Sequence, residues 1–370
     1  MDDGGIVKEC VLRIRPYRPG KPIEEVEREY GISNAIKLAS NENPLGPSPK
    51  AVAAMQEAAP KMALYPEDTC FYLKRDLAAH LGVPEDWLML GNGSDEVLHC
   101  VGLAFLSPGD EVLQADPSFV MYETNTHLNG ATPVVVPLKN HRFDLDAMAS
   151  RLSDRTKVVF ICNPNNPTGS IVTKDELSAF MEKVPPKAIV VFDEAYVEYV
   201  ESPSFPDTLE YVRQGRNCVV ARTFSKIYAL AGLRVGYGIA PPHIVRYLQQ
   251  VRPPFNVNTM AQVAARASLA DPDQVARSRR VNSEGKRFLY AAFERMGLQY
   301  VPTEANFIWV DTRVDSRAVF EGLIRRGVIV RTGDVFGMPT FIRVTIGVQE
   351  QNQRFVEALE ELLDSFTKAD

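Results

Sequence analysis

Apolar residues in this chain fall into short, nearly unbroken runs at 87–90, 112–115, 134–136, 158–162, 189–192, 219–221 and 235–239. Runs of this length without polar alternation predict strands buried on both faces. Between several of them the period lengthens to that of a helix. From Ser94 onward Val97, Val101, Ala104 and Phe105 share one face, and 174–183 repeats the pattern. Strand–helix alternation of this kind predicts an α/β fold, a largely parallel sheet covered on both sides by helices. The pattern changes near Arg252-Pro253-Pro254. A helical stretch is expected from about 260 to 296. Shorter strands and helices follow at 307–310, 316–326, 328–331, 341–346 and 351–366, and predict a second, smaller α+β domain. Residues 1–45, rich in Pro, Arg and Glu, read as an arm plus a piece of that smaller domain. The expected division is therefore 1–45, 46–252 and 253–370.

Composition narrows the class. A chain of 370 residues with 45% hydrophobic and 24% charged residues is an ordinary globular protein of about two domains. A net charge of -6 and a pI near 5.6 argue against nucleic acid or an anionic membrane as partner. A local cluster of arginines could still take a small anion. The five cysteines are odd in number and not closely paired, which predicts free thiols in a reducing cytoplasm. Residues 1–8 do not read as a signal peptide, and no apolar stretch approaches the ~20 residues of a membrane helix. The five histidines are scattered and show no metal-ligand spacing.

Four elements carry candidate chemistry. Lys226 follows a buried run and enters an apolar loop, where a desolvated amine would be a nucleophile suited to Schiff-base formation. Thr223, Ser225 and Arg234 set two hydroxyls and a forked cation around it, a sensible phosphate seat. Gly91-Asn92-Gly93-Ser94-Asp95-Glu96 is a second phosphate element, a glycine turn opening a helix. It is neither a Walker loop nor a full dinucleotide fingerprint, and a plain turn with Ser94 as cap is the alternative. Asp193 ends the run 189–192, where a carboxylate could keep a pyridine nitrogen protonated, with Tyr196 three residues on. The bland alternative is an Asp capping a turn. Asn163-Pro164-Asn165-Asn166-Pro167-Thr168-Gly169 ends the run 158–162 in a rigid loop that presents Asn166.

In order, spacing and context these elements resemble the fold-type-I aminotransferases, over essentially the whole chain. The resemblance implies a mostly parallel seven-stranded sheet between helices, a smaller α+β domain and pyridoxal 5'-phosphate as cofactor. It implies that Lys226 carries the cofactor as a Schiff base, that Asp193 pairs with the pyridine nitrogen, and that Asn166 and Tyr196 hold the phenolic oxygen. Gly93, Ser94, Asp95, Thr223, Ser225 and Arg234 would take the phosphate, Phe119 would stack on the ring, and Arg343 would bind a carboxylate. Within that family the segments Pro16-Tyr17-Arg18-Pro19-Gly20, Ser40-Asn41-Glu42-Asn43-Pro44, Leu64-Tyr65-Pro66 and Val330-Arg331-Thr332-Gly333 resemble the histidinol-phosphate aminotransferases. Thr332 stands where Pro is more usual. That likeness implies L-histidinol phosphate and 2-oxoglutarate as substrates, with Tyr17, Asn43, Arg331 and Arg343 at the substrate. It also implies a homodimer with shared active sites, in which Tyr65 reaches the neighbouring subunit's phosphate. An aromatic amino acid aminotransferase and a threonine-phosphate decarboxylase are the rival activities. A nicotinamide-dependent oxidoreductase and a non-catalytic binding module are the rivals of other classes.

Overall fold

The computed structural model describes residues 5–14, 16 and 20–367. After β1 (Ile36–Lys37) come seven strands of one sheet: β2 (Leu88–Gly91), β3 (Glu111–Asp116), β4 (Thr132–Pro137), β5 (Thr156–Cys162), β6 (Ile189–Asp193), β7 (Cys218–Thr223) and β8 (Gly236–Ile239). Their order across the sheet is β2-β8-β7-β6-β5-β3-β4. The alternation of side chains explains why these runs are apolar throughout. Val159, Ile161, Val190, Phe192 and Val220 enter one core cluster, and Val158, Phe160, Ile189, Val191 and Val219 enter another.

The sheet is mostly parallel, as expected, and β8 runs antiparallel to both its neighbours, β2 and β7. β7 and β8 are joined by the loop that carries Lys226 rather than by a crossover helix, a connection open only to antiparallel neighbours.

The smaller sheet consists of β9 (Gln299–Val301), β10 (Phe307–Asp311), β12 (Arg331–Thr332) and β13 (Phe341–Thr345), all antiparallel in the order β12-β13-β10-β9. The run expected as one strand at 328–331 is divided. Its first part, β11 (Val328–Ile329), pairs in parallel with β1. Residues near the start of the chain thus pack with its C-terminal part, and Leu38 joins the same core as Ile308, Val344 and Phe355.

The helical stretch at 260–296 is two helices, Thr259–Leu269 and Pro272–Arg295. Pro272 has no N–H to donate and pushes Asp271 out of the helical region, to φ -127° and ψ 70°. The two helices serve different cores. Ala261, Ala264 and Ala265 pack with the large sheet, together with Val257, whereas Leu289 and Phe293 pack with the small one. Among the described residues no helix is long and apolar enough to cross a membrane.

Candidate active site

β5, β6 and β7 run parallel, so their carboxyl ends open on one edge of the sheet, where open α/β sheets place ligands. Asn166 follows β5, Asp193 closes β6, and Thr223, Ser225 and Lys226 leave β7. All of them line one cavity. Ser94, Asp95, Phe119, Tyr196 and Arg234 line it too, and the small sheet contributes Arg331 and Arg343.

One end of the cavity is built for an anion. Gly93 precedes the helix Ser94–Phe105 at φ +79°, and no side chain caps that helix. Its first N–H groups therefore remain for a ligand. Arg234 closes the seat from the other side. A Cβ on Gly93 would lie 2.5 Å from Nη2 of Arg234, so the close approach needs glycine. Arg234 Nη1 donates to Ser225 Oγ at 3.4 Å, and the Ser225 N–H donates to Thr223 Oγ1 at 3.1 Å.

The amine of Lys226 donates to the Ser40 carbonyl at 3.1 Å and lies 5.6 Å from the centre of the Tyr196 ring. Burial, with the neighbouring guanidinium groups of Arg343 and Arg234, pushes its pKa down from 10.5 to about 8. Asp193 is buried; its Oδ2 accepts from the Tyr122 hydroxyl at 2.7 Å and its Oδ1 from the Ala195 N–H at 3.3 Å. Burial nevertheless raises its pKa to about 6. Tyr196 accepts from Asn41 Nδ2 at 2.9 Å, and burial holds its hydroxyl well above the usual phenol range. Arg343 is buried, donates to Asn166 Oδ1 and to the Ala39 carbonyl, and lies 5.3 Å over the ring of Phe307. The Asn166 loop is fixed from beneath. Asn163 exchanges two bonds with Val172, and Asn165 donates to Pro117 O and Thr168 Oγ1.

An amine of lowered basicity, a buried carboxylate, an anion seat and two arginines line one cavity here. Residues 33–359 match the family described as aminotransferase class I and II. This chain belongs to the class I and II aminotransferases. It is 57% identical to a histidinol-phosphate aminotransferase of Moorella thermoacetica over 357 residues, 96% of this chain and 92% of that protein. A histidinol-phosphate aminotransferase of Caldicellulosiruptor saccharolyticus is 46% identical over 96% of this chain and 99% of its own. Among solved structures, the Sinorhizobium meliloti histidinol-phosphate aminotransferase in complex with pyridoxal-5'-phosphate superimposes with a TM-score of 0.90. It shows 26% identity and 98% coverage of both chains.

Not every residue singled out in this aminotransferase's sequence lies on the cavity wall. Gly93 sits behind it, against Arg234. Asn43 is buried behind the lysine loop, donating to the Ile227 carbonyl at 2.7 Å and Ser278 Oγ at 2.8 Å, so it supports the loop. Tyr65 is 80% exposed and stacks on Phe255, away from the cavity. Tyr17 lies outside the described residues. Two residues at the site carried no assignment from the sequence. Asn41 lines the cavity at φ +57° and holds the Tyr196 hydroxyl; its only signal was its place in Ser40-Asn41-Glu42-Asn43-Pro44. Tyr122 holds Asp193 from the mostly polar helix Met121–Leu128, whose sequence gives no hint of a buried phenol. Among the described residues no group of His, Cys, Asp or Glu could hold a metal ion.

Proposed function

We propose that this aminotransferase binds pyridoxal 5'-phosphate at Lys226 and moves the amino group of L-histidinol phosphate to 2-oxoglutarate. The products are imidazole acetol phosphate and L-glutamate. The observation that carries this reading is the cavity itself. It brings together the anion seat of Ser94, Ser225 and Arg234, backed by Gly93, an amine of lowered pKa, and the guanidinium groups of Arg331 and Arg343. The Moorella relative's substrate name supports the choice of donor.

The residues fit the coenzyme. The seat left free of a capping side chain suits a phosphate, and Asp193 supplies a carboxylate in the same cavity. When bound, the coenzyme supplies an electron sink for the carbon that bears the amino group. Lys226 Nζ, neutral in a large fraction near pH 8, takes the proton from that carbon and later returns one. Asp193, oriented by Tyr122 and Ala195, holds a proton on the heterocyclic nitrogen by its charge. Tyr196 and Asn166 orient the phenolic oxygen. Arg331 and Arg343 bind the donor's phosphate in one half-reaction and the carboxylates of glutamate and 2-oxoglutarate in the other. A guanidinium fork matches either anion.

We also infer a homodimer in the cytoplasm. Leu64, Tyr65, Phe71 and Tyr72 are large hydrophobic side chains left exposed, which a second copy would cover, and the free cysteines suit a reducing compartment. The division into 1–45, 46–252 and 253–370 stands as part of this reading, the smaller portion bringing Arg331 and Arg343 to the site.

Steady-state assay of L-histidinol phosphate against L-phenylalanine, with 2-oxoglutarate as acceptor, tests the function. A higher kcat/KM for histidinol phosphate is expected. Faster turnover of phenylalanine would replace the proposed donor.

A further inference from the structure

A second chamber shares Phe119, Asn166, Arg331 and Arg343 with the Lys226 cavity. Its charged lining, among the described residues, is the guanidinium groups of Arg317, Arg331 and Arg343 and the carboxylate of Asp334. Arg317 opens the helix Ser316–Arg325 one residue in, where the Asp315 carboxylate accepts from the Arg317 and Ala318 N–H groups. Its side chain is mounted on Asp334, whose Oδ2 accepts from Arg317 Nε at 2.7 Å. The mount is itself fixed, because the Thr332 hydroxyl and the Val335 N–H also donate to the Asp334 carboxylate. An ordinary surface ion pair joins two mobile side chains and contributes little. Here a held carboxylate fixes a guanidinium at the chamber through Nε alone. Neither Nη nitrogen of Arg317 has a hydrogen-bond partner among the described residues, and the side chain is 69% exposed. Its two-pronged end is therefore left to water or to a ligand.

Resting on the proposed reading that the donor is histidinol phosphate, we infer that Arg317 binds the substrate's phosphate as a third arginine and sets the preference for a phosphate over a carboxylate. Glutamate and 2-oxoglutarate each divide their negative charge between two carboxylates, and one guanidinium fork satisfies one carboxylate. Arg331 and Arg343 suffice for that pair. Histidinol phosphate concentrates its charge in one group, close to a dianion at neutral pH, with three terminal oxygens. Three arginines less one aspartate leave two positive charges at the chamber, which matches the dianion. Without Arg317 the same count leaves one, with the Asp334 carboxylate no longer offset. The uncommitted Nη groups of Arg317 supply donors for the phosphate oxygen that two forks leave over.

Amino transfer in two half-reactions yields an independent kcat/KM for donor and acceptor, so each reports on Arg317 separately. L-Histidinol phosphate and 2-oxoglutarate are assayed on the wild-type holoenzyme, Arg317→Gln and Arg317→Lys, at low and at physiological ionic strength. Binding of L-histidinol phosphate is measured in parallel by calorimetry on borohydride-reduced holoenzyme, where no turnover occurs. Arg317→Gln is expected to lower kcat/KM for histidinol phosphate roughly tenfold, mainly through KM, and to weaken its binding to match. The fall of that kcat/KM with added salt should also become shallower. The kcat/KM for 2-oxoglutarate should change less than about twofold. Arg317→Lys keeps the charge without the fork and should recover part of the loss. An equal loss for both substrates would mean that Arg317 merely braces the Asp334 turn, and overturns the inference. Unchanged kinetics with histidinol phosphate overturns it too. A wild-type enzyme that turns over glutamate but not histidinol phosphate overturns the underlying reading as well, and is recognised before any substitution is made.

Discussion

The two ends of the active cavity are built in different ways. The coenzyme end comes from one sheet. Thr223, Ser225 and Lys226 leave one strand, Asp193 ends its neighbour, and Arg234 lies on the return to β8. The substrate end is assembled across the chain. Arg343 in β13 is held by the Ala39 carbonyl and by Asn166, partners 304 and 177 residues away in sequence. Local construction makes the first end rigid and recognisable as a motif. The second depends on the small sheet staying in register with β1 and the Asn166 loop. Damage at the coenzyme end should therefore appear in coenzyme affinity, and damage at the substrate end in substrate kinetics.

The most severe test of that separation is Lys226→Ala, which removes both the proposed anchor and the proposed proton carrier. Turnover should fall by more than the ~10²–10⁴-fold of an acid–base group alone, together with loss of the bound coenzyme's visible absorbance. Retention of near-normal turnover would end the account. Next, Arg343→Ala should cost about 10²-fold in kcat/KM for both substrates, with coenzyme affinity nearly unchanged in a spectroscopic titration. A parallel fall in coenzyme affinity would mean that the two ends are not separable. Gly93→Ala should do the opposite. Strain at φ +79° and displacement of Arg234 should weaken coenzyme binding by about tenfold, with KM for the donor little changed.

The smallest expected effect is on stability. The folded protein lowers the Lys226 pKa from 10.5 to about 8, so folding disfavours its charged form. That cost is fully present below pH 8 and fades as pH rises toward 10.5, where the unfolded chain also loses the proton. Lys226→Met in the coenzyme-free protein should therefore be more stable than wild type at pH 7. The gain is put at about 2 kcal/mol, discounted because the side chain is only partly buried. Thermal melts at pH 7 and pH 10.5 should show the gap closing. A constant gap would point to packing rather than charge.

The same contrast explains what could be read from the sequence. The runs at 158–162, 189–192 and 219–221 announce buried strands because both faces of the sheet are covered, and each is followed within five residues by a candidate site residue, Asn166, Asp193 or Lys226. Strand direction is not written in an apolar run. Gly236 and Gly238 in β8 add no side-chain pattern, and only the short return from Lys226 shows why that strand is antiparallel. The break at Asp271-Pro272 had a local signal in the proline itself. The roles of Asn41 and Tyr122 had no such local pattern, because each acts on a residue far along the chain, Asn41 on Tyr196 and Tyr122 on Asp193. Arg331 and Arg343 came from resemblance rather than from pattern, as expected for a site end made by long-range packing.

The proposed chemistry needs one covalent attachment point. Protein purified with pyridoxal 5'-phosphate, reduced with borohydride, digested and mapped by mass spectrometry should carry the reduced coenzyme on Lys226 alone. Label on a different lysine, or none after reduction, would contradict it.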